Sequence, residues 1–169
     1  MRDQWAKADG EFRTAFLADP ERALRRIMRV IGALAVGELA GERMAVAFES
    51  ADQEDEHSCF SDNTNADVVN DIKGIRMVYR ADFPQISGPS LHDLLAARDA
   101  KLADQTRSEI DAVLAKAQAF PASFETMISA AEDSAERGAM EAVIEGLEDL
   151  GETFAKAARR LEVKVGFEV

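Results

Sequence analysis

The sequence has few of the residues that build disulfide scaffolds, turns and linkers. Its 169 residues include one cysteine, four prolines and ten glycines. An intrachain disulfide is therefore excluded, and so is a collagen-like or linker-dominated chain. Aromatic residues make up 7%, and no stretch reaches the ~18 consecutive apolar residues that a membrane-spanning helix needs. The 47% of hydrophobic residues is enough for one domain over residues 1–169 with a sizeable buried core.

Positive charge is missing from one long interval. Thirty-two acidic residues oppose 20 Lys and Arg, for a net charge of −12, which disfavours binding to DNA or RNA. No Lys or Arg occurs between Arg43 and Lys73. The acidic residues in this interval are Glu49, Asp52, Glu54, Asp55, Glu56, Asp62, Asp67 and Asp71. Such a local excess attracts cations, although a solvated acidic loop is the commoner meaning of a charge run.

The spacing of apolar residues predicts an all-α fold, an antiparallel helical bundle of four substantial helices and several short ones. A short helix interrupted near Gly10 comes first, and Asp19-Pro20 then begins a helix that extends to about residue 49. Residues 50–63 carry no helical stripe and are predicted to form a loop. A capping-box pattern at residues 64–67 begins the next helix. Further helices are predicted over 91–98, 102–117 and 123–131, and a long final helix opens at 133–136.

Known catalytic motifs are missing from the sequence. It contains no Gly-rich phosphate loop, no G-x-S-x-G turn and no cysteine pair for zinc. Of its two histidines, His92 is interpreted as a packing or surface residue. Residues 1–5 contain no apolar core and no cleavage site for a signal peptide. We therefore expect either a cytoplasmic protein or a piece of a longer one.

The second histidine, His57, lies in a segment rich in potential metal ligands. Residues 54–63 read EDEHSCFSDN, which combines imidazole, thiol, hydroxyl and several carboxylates. Carboxylate with imidazole suits iron, manganese or zinc, and carboxylate alone suits calcium. The alternative is a loop whose side chains only cap helix ends, a role that both Asp62 and Thr64 can fill. Cys59 is interpreted as a small half-buried residue and not as a nucleophile.

Glu38 and Glu42 add a second group of carboxylates. Counted with the spacing of an α-helix, both lie on or beside the face that should point into the bundle. A buried carboxylate needs a partner. A metal ion is one candidate, and an ion pair with an arginine such as Arg43 is another. Inward glutamates on bundle helices are how carboxylate metal sites are built.

Several segments of unusual composition occur in a fixed order. They read ELAGERM at 38–44, QEDEHSCFSDNT at 53–64 and GIRMVY at 74–79, followed by GPSL at 88–91. Together they resemble the imelysin family, also called iron-regulated protein A or imelysin-like peptidases. The resemblance extends over nearly the whole chain and corresponds to the C-terminal half of a family member.

The resemblance implies an all-helical protein, since family members consist of two similar bundle-like halves with a conserved cleft between them. It also implies a periplasmic or outer-membrane-associated bacterial protein linked to iron uptake, with a peptidase label. The family's proposed metal motif, Gly-x-His-x-x-Glu, belongs to the other half and does not occur here. The family usually has a histidine after Ser-Asp-x-Thr, where this chain has Asn65. Both departures argue against catalysis by this chain alone.

The leading interpretation is a metal-related binding module that contributes half of a cleft. The candidate metal ligands are Glu38, Glu56, His57 and Asp62. The candidate cleft-lining residues are Glu42, Arg43, Ser61 and Asn65. The ion is left open among iron, zinc and calcium. The expected partners are a metal ion or small ligand, together with a missing N-terminal half or a second copy of the chain.

Two other classes of function remain open. One is a metallopeptidase half-domain, in which Glu38 or Glu56 acts as general base on a metal-bound water. The other is a structural or partner-binding bundle, in which the acidic loop is solvated and Glu38 pairs with an arginine. Three or four ligands that converge on an open metal position would distinguish the enzyme from the binding module.

Overall fold

The computed structural model describes residues 2–84 and 88–165, and the regular elements in these ranges are helices. One unusual segment, Leu34–Ala45, is π-helical and is called the π segment below. The others are α1 (Arg2–Ala6), α2 (Glu11–Ala18), α3 (Pro20–Ala33), α4 (Val46–Ser50), a 3-10 turn (Gln53–Asp55), α5 (Thr64–Arg80), α6 (Leu91–Ala96), α7 (Ala100–Gln118), α8 (Phe124–Ile128) and α9 (Ala135–Arg160). The predicted all-α bundle is confirmed.

The long helices pack side by side in antiparallel directions. The Tyr79 hydroxyl at the end of α5 donates to the Ala103 carbonyl at the start of α7. At the other end of the pair, Asn65 donates to the Ala122 carbonyl just beyond α7. The Lys116 ammonium near the end of α7 donates to the Ala142 carbonyl in the first half of α9. These contacts bring the start of α5, the end of α7 and the start of α9 to one end of the bundle.

Helix α9 supplies much of the core. It packs against α3, α7, α8 and the π segment. Its buried face contains an apolar stripe made of Met140, Val143, Ile144, Leu147, Leu150, Phe154 and Ala158. Fully burying a residue such as Leu or Phe contributes roughly 1.5–3 kcal/mol. This face therefore anchors the elements that present the acidic residues.

The chain from Pro20 to Ser50 is one continuous helix, as predicted, but its middle third is not an α-helix. In the π segment each backbone N–H bonds five residues back, as the Val46 N–H does to the Gly41 carbonyl. The wider turn changes which side chains face the core. Those buried from this segment are Ala35, Leu39, Ala40 and Met44, a spacing of four and five.

The prediction that Glu38 and Glu42 lie on or beside the inward face is wrong, because both residues are exposed. The prediction assumed 3.6 residues per turn, which aligns Glu38 with Leu34 and Ile31. The i to i+5 repeat instead turns Leu39 and Met44 inward and leaves the two glutamates outside. Neither carboxylate therefore needs a buried partner.

Two alanines end the helices on either side of the acidic residues. Ala51, after α4, and Ala81, after α5, both adopt the left-handed conformation, with φ of 53° and 51°. The predicted capping box at residues 64–67 does not form. Asn63 occupies the N-cap of α5 without a capping hydrogen bond from its side chain, and Thr64 is the first helical residue.

None of the helices within residues 2–84 and 88–165 is long and apolar enough to span a bilayer.

Candidate functional site

The acidic loop, residues 51–63, connects α4 to α5 and is held at its start by short-range hydrogen bonds. The Asp52 carboxylate accepts from the Glu54 N–H at 2.9 Å, and so caps the 3-10 turn. The Ser50 hydroxyl donates to Asp55 at 2.8 Å. Some acidic residues of the loop thus accept short-range hydrogen bonds, as expected if the loop's side chains only cap helix ends.

Arg137 in α9 ties the loop's starting point to the rest of the bundle. Its Nη2 donates to the Phe48 carbonyl at 3.0 Å, and its Nη1 donates to the Ile128 carbonyl at 2.7 Å. The guanidinium carbon lies 3.9 Å from the centroid of the Phe48 ring. One side chain therefore satisfies carbonyls of both α4 and α8, whose last turns have no intrahelical donors for them.

Glu56 is the most buried acidic residue of the loop, at 7% exposure. The Thr64 hydroxyl donates to its Oε2 at 3.0 Å, while its Oε1 is buried without a hydrogen-bond partner among the described residues. Burial raises the pKa of the Glu56 carboxyl. The Thr64 hydrogen bond opposes this rise, and repulsion from Glu125 and Asp62 adds to it. The Glu56 carboxylate therefore has an oxygen available to a cation or a proton.

Asn65, which stands where the family usually has a histidine, is turned toward the end of α7. Its Nδ2 donates to the Ala122 carbonyl at 2.9 Å. Its Oδ1 is buried and has no hydrogen-bond partner within the described ranges. The amide thus bridges α5 and the loop before α8, and one acceptor remains unused.

A second group of charges forms where the π segment packs against α5. Arg43 Nη2 lies 3.6 Å from Glu38 Oε2, an ion pair that joins residues five apart on the π-helical surface. Burial raises the pKa of Asp71 in α5. Attraction from His57 and Arg43 opposes that rise, and Asp67 reinforces it. His57 is itself exposed, and its effect on Asp71 places it within electrostatic reach of α5.

The remaining predicted residues lie at the surface. Ser61, Asp62 and Glu42 are exposed, and the Ser61 hydroxyl donates to the Ser58 carbonyl at 3.3 Å. Asp62 adopts the left-handed conformation, with φ of 50°. Cys59 is of intermediate exposure, as interpreted from the sequence.

The four candidate metal ligands fall into two neighbourhoods. Glu56 is within electrostatic reach of Asp62, whereas Glu38 pairs with Arg43 and His57 acts electrostatically on Asp71. Within residues 2–84 and 88–165, no group of three or more His, Cys, Asp or Glu side chains is arranged to hold a metal ion. These residues, taken alone, do not fit a resident metal, because a protein site needs about three converging ligands.

Three residues that the sequence analysis did not select take part in the site. Thr64 donates a hydrogen bond to Glu56, Asp71 is within electrostatic reach of both His57 and Arg43, and Glu125 of α8 repels Glu56. Asp67 and Asp71 are four residues apart, so a helix places both on one face. The four-residue spacing could have identified Asp71 as a neighbour of Asp67 from the sequence, whereas nothing in the sequence relates Glu125 to the loop.

Replacing Glu56 by glutamine is expected to raise the free energy of unfolding at pH 7 by about 1 kcal/mol. The amide keeps an acceptor for Thr64 and removes a buried charge that Asp62 and Glu125 repel. Because the folded-state pKa of Glu56 is raised, the folded protein holds this proton more tightly than the unfolded chain. Ionisation of Glu56 therefore lowers the free energy of unfolding as the pH rises above about 4.3, the ordinary pKa of a glutamate side chain. The gain from glutamine should vanish near pH 4.

Urea unfolding between pH 4 and 8, in chelator-treated buffer, measures this effect. Glu54→Gln is the control, because Glu54 is an exposed carboxylate of the same loop and should change stability by less than about 0.5 kcal/mol. A Glu56→Gln protein that is less stable than the native chain at pH 7 would contradict the assignment of an unpartnered buried charge.

Comparison with known protein families gives a match over most of the chain. The family model Peptidase_M75, described as Imelysin, matches residues 1–154. No curated protein matches the chain significantly. Since the match covers nearly the whole sequence, including the π segment, the acidic loop and most of α9, the chain belongs to the imelysin family.

Proposed function

We propose that the chain is an imelysin-type binding module in which the acidic loop and the adjoining face of α5 form one wall of a ligand cleft. The observation that carries this proposal is Glu56, a 7% exposed carboxylate with an unpartnered oxygen beside two other acids. Burying a carboxylate oxygen without a hydrogen-bond partner costs free energy. A ligand that binds this oxygen is the simplest explanation for its presence. His57, Asp71 and Arg43 provide charged groups on the neighbouring surface.

The ligand we propose is a divalent metal ion or a small molecule that carries one. Glu56 and Asp62 supply oxygen ligands from one neighbourhood, and Glu38 and His57 belong to the other. A strong site needs further ligands, and we propose that a second imelysin-type half supplies them across the cleft. By the same resemblance, the protein would act in the periplasm or at the outer membrane, in iron uptake.

Isolated chains are expected to bind Fe(II), Zn(II), Mn(II) and Ca(II) only weakly, with dissociation constants well above 1 μM. Two or three partly solvated ligands cannot offset the dehydration of the ion as a closed set of four can. Calorimetric titration measures this, with Fe(II) handled without oxygen. Glu56→Gln should weaken the residual binding, and Glu54→Gln should not.

A 1:1 site of submicromolar affinity that disappears in His57→Ala would contradict the half-cleft proposal and show that this chain is sufficient.

The alternative is a metallopeptidase half-domain with Glu56 as general base. The raised pKa of Glu56 favours it, because a base works best when its pKa approaches the working pH. An unstructured protein substrate, incubated with the chain with and without added metal, separates the two functions. Chelator-sensitive hydrolysis that Glu56→Gln abolishes would favour the enzyme, whereas hydrolysis should be undetectable for a binding module.

A further inference from the structure

A groove of about 960 Å³ opens between the N-terminal helices and the bundle. One wall consists of Trp5 and Phe16, from α1 and α2, and the other includes Ile27, Val78 and Leu94, from α3, α5 and α6. None of its lining residues belongs to the acidic loop. The groove is therefore independent of the site proposed above, and so is its test.

The walls expose apolar side chains that a folded chain ordinarily covers. Trp5 is 46% exposed, Leu17 is 62% exposed and Leu94 is 41% exposed, and all three line the groove. Contiguous apolar surface of this kind marks a place where something binds. The volume lies at the upper end of the range for small-molecule sites, about 300–1,000 Å³.

The groove contains a single type of charge. Arg13 is the one charged residue among the described residues that line it. No ion pair or hydrogen bond of its guanidinium occurs within residues 2–84 and 88–165. Among the lining residues that the structure describes, Ser90 is already engaged with Asp93 through its hydroxyl at 2.9 Å. A ligand suited to this groove is therefore mainly apolar and carries one negative group.

We propose that the groove binds a medium-chain fatty acid, with its alkyl chain between Trp5 and Leu94 and its carboxylate on Arg13. The guanidinium fork matches a carboxylate with two parallel hydrogen bonds. A second copy of the chain fits less well, because a symmetric contact of this face with itself would enclose two Arg13 charges without an acidic partner from the described lining.

The chain carries its own reporter, because Trp5 lines the groove and is the only tryptophan. Titration with decanoate, below its micelle concentration, is expected to give a saturable change in tryptophan emission. Decanol and decyltrimethylammonium, which have the same chain length, should bind at least tenfold more weakly. Lengthening the acid should tighten binding by up to about fourfold per CH₂, the factor that corresponds to 0.8 kcal/mol.

Two variants and a control test the two ends of the ligand separately. Arg13→Gln should abolish the preference for decanoate over decanol and leave decanol binding unchanged, and Leu94→Gln should weaken both. Arg29→Gln removes an exposed arginine of α3 outside the groove and should change neither. Circular dichroism and urea unfolding confirm that each variant is folded.

Absence of a saturable response, equal affinity for the three compounds, or a carboxylate preference that survives Arg13→Gln would each overturn the proposal. So would tryptophan emission that depends on protein concentration without ligand and follows dimerisation in sedimentation, because a second copy would then be the occupant.

Discussion

Gly151→Ala is expected to lower the free energy of unfolding by about 2 kcal/mol, and the melting temperature by roughly 4–8 °C. Gly151 lies in α9 where the π segment crosses it, and a Cβ there would overlap the Cγ2 of Val36. Valine is stiff at χ1 in a helix, so the overlap must be relieved by a poor rotamer or by moving two packed helices apart. Thermal and urea unfolding measure the loss.

Gly138→Ala is the matched control in the same helix, because nothing lies within 4 Å of a Cβ at that position. It should stabilise the protein by roughly 0.5–1 kcal/mol through helix propensity alone. Adding Val36→Ala to Gly151→Ala should recover most of the loss, as a coupling energy of about 1–2 kcal/mol. If Gly151→Ala instead behaves like Gly138→Ala, the two helices are not in close contact at this point.

Arg137→Met is expected to lower the free energy of unfolding by about 3 kcal/mol. The substitution keeps an apolar stem but removes two hydrogen bonds from a charged donor, each worth a net of roughly 1.5–3 kcal/mol and near the lower value here because Arg137 is only half-buried. It also removes the cation–π contact with Phe48, worth about 0.5–1 kcal/mol. Because Arg137 holds the last turn of α4, amide hydrogens of the acidic loop should exchange faster in this variant.

The control is Arg159→Met, which removes an exposed arginine of the same helix and should cost less than about 0.5 kcal/mol. Arg137→Lys should recover only part of the loss, because one ammonium does not reproduce the planar fork that spans the Phe48 and Ile128 carbonyls. Equal stability of the two methionine variants would rule out the bridging role.

The helices were predictable because their signals are local. Asp19 caps α3 by accepting from the Arg22 N–H, directly before the proline that the sequence analysis used as a start signal. Ser90 and Asp93 form a complete capping box at α6. The last helix begins one residue later than its four-residue pattern suggested, with Ser134 as N-cap. Apolar spacing and helix caps both depend on residues only a few positions apart, so a single sequence is enough to recognise them.

The orientation of Glu38 and Glu42 was not predictable in this way. An apolar spacing of three and four can be read through residues 27–45, and it places both glutamates inward. The chain adopts the π form instead, with Leu39 and Met44 buried five residues apart. That choice depends on how the segment packs against α9, where Gly151 makes room for Val36. Tertiary packing of this kind leaves no local pattern.

Residues of the candidate site were predicted from the sequence, but the hydrogen bonds that join the site to distant segments were not. Glu56 and Asn65 are both candidates from the sequence, and each has a buried oxygen without a hydrogen-bond partner in the described part of the chain. Asn65, however, bonds the carbonyl of Ala122, 57 residues away, and Arg137 bonds that of Phe48, 89 residues away. Hydrogen bonds to backbone carbonyls require no particular residue type in the partner, so the sequence gives no sign of them.

The alanines that end α4 and α5 mark positions where a substitution can stabilise the protein. Among the described residues, Ala51 and Ala81 have positive φ, as do Asp62 and Glu162, and no glycine does. Left-handed backbone costs an L-residue about 1–2 kcal/mol, a strain that glycine avoids. Glycine occurs instead inside helices, at positions such as Gly151 where a side chain would clash with a neighbouring helix. An engineer or a mutating lineage would therefore find stabilising changes at the C-terminal ends of α4 and α5, and at open helix positions such as Gly138, but not at packed positions such as Gly151.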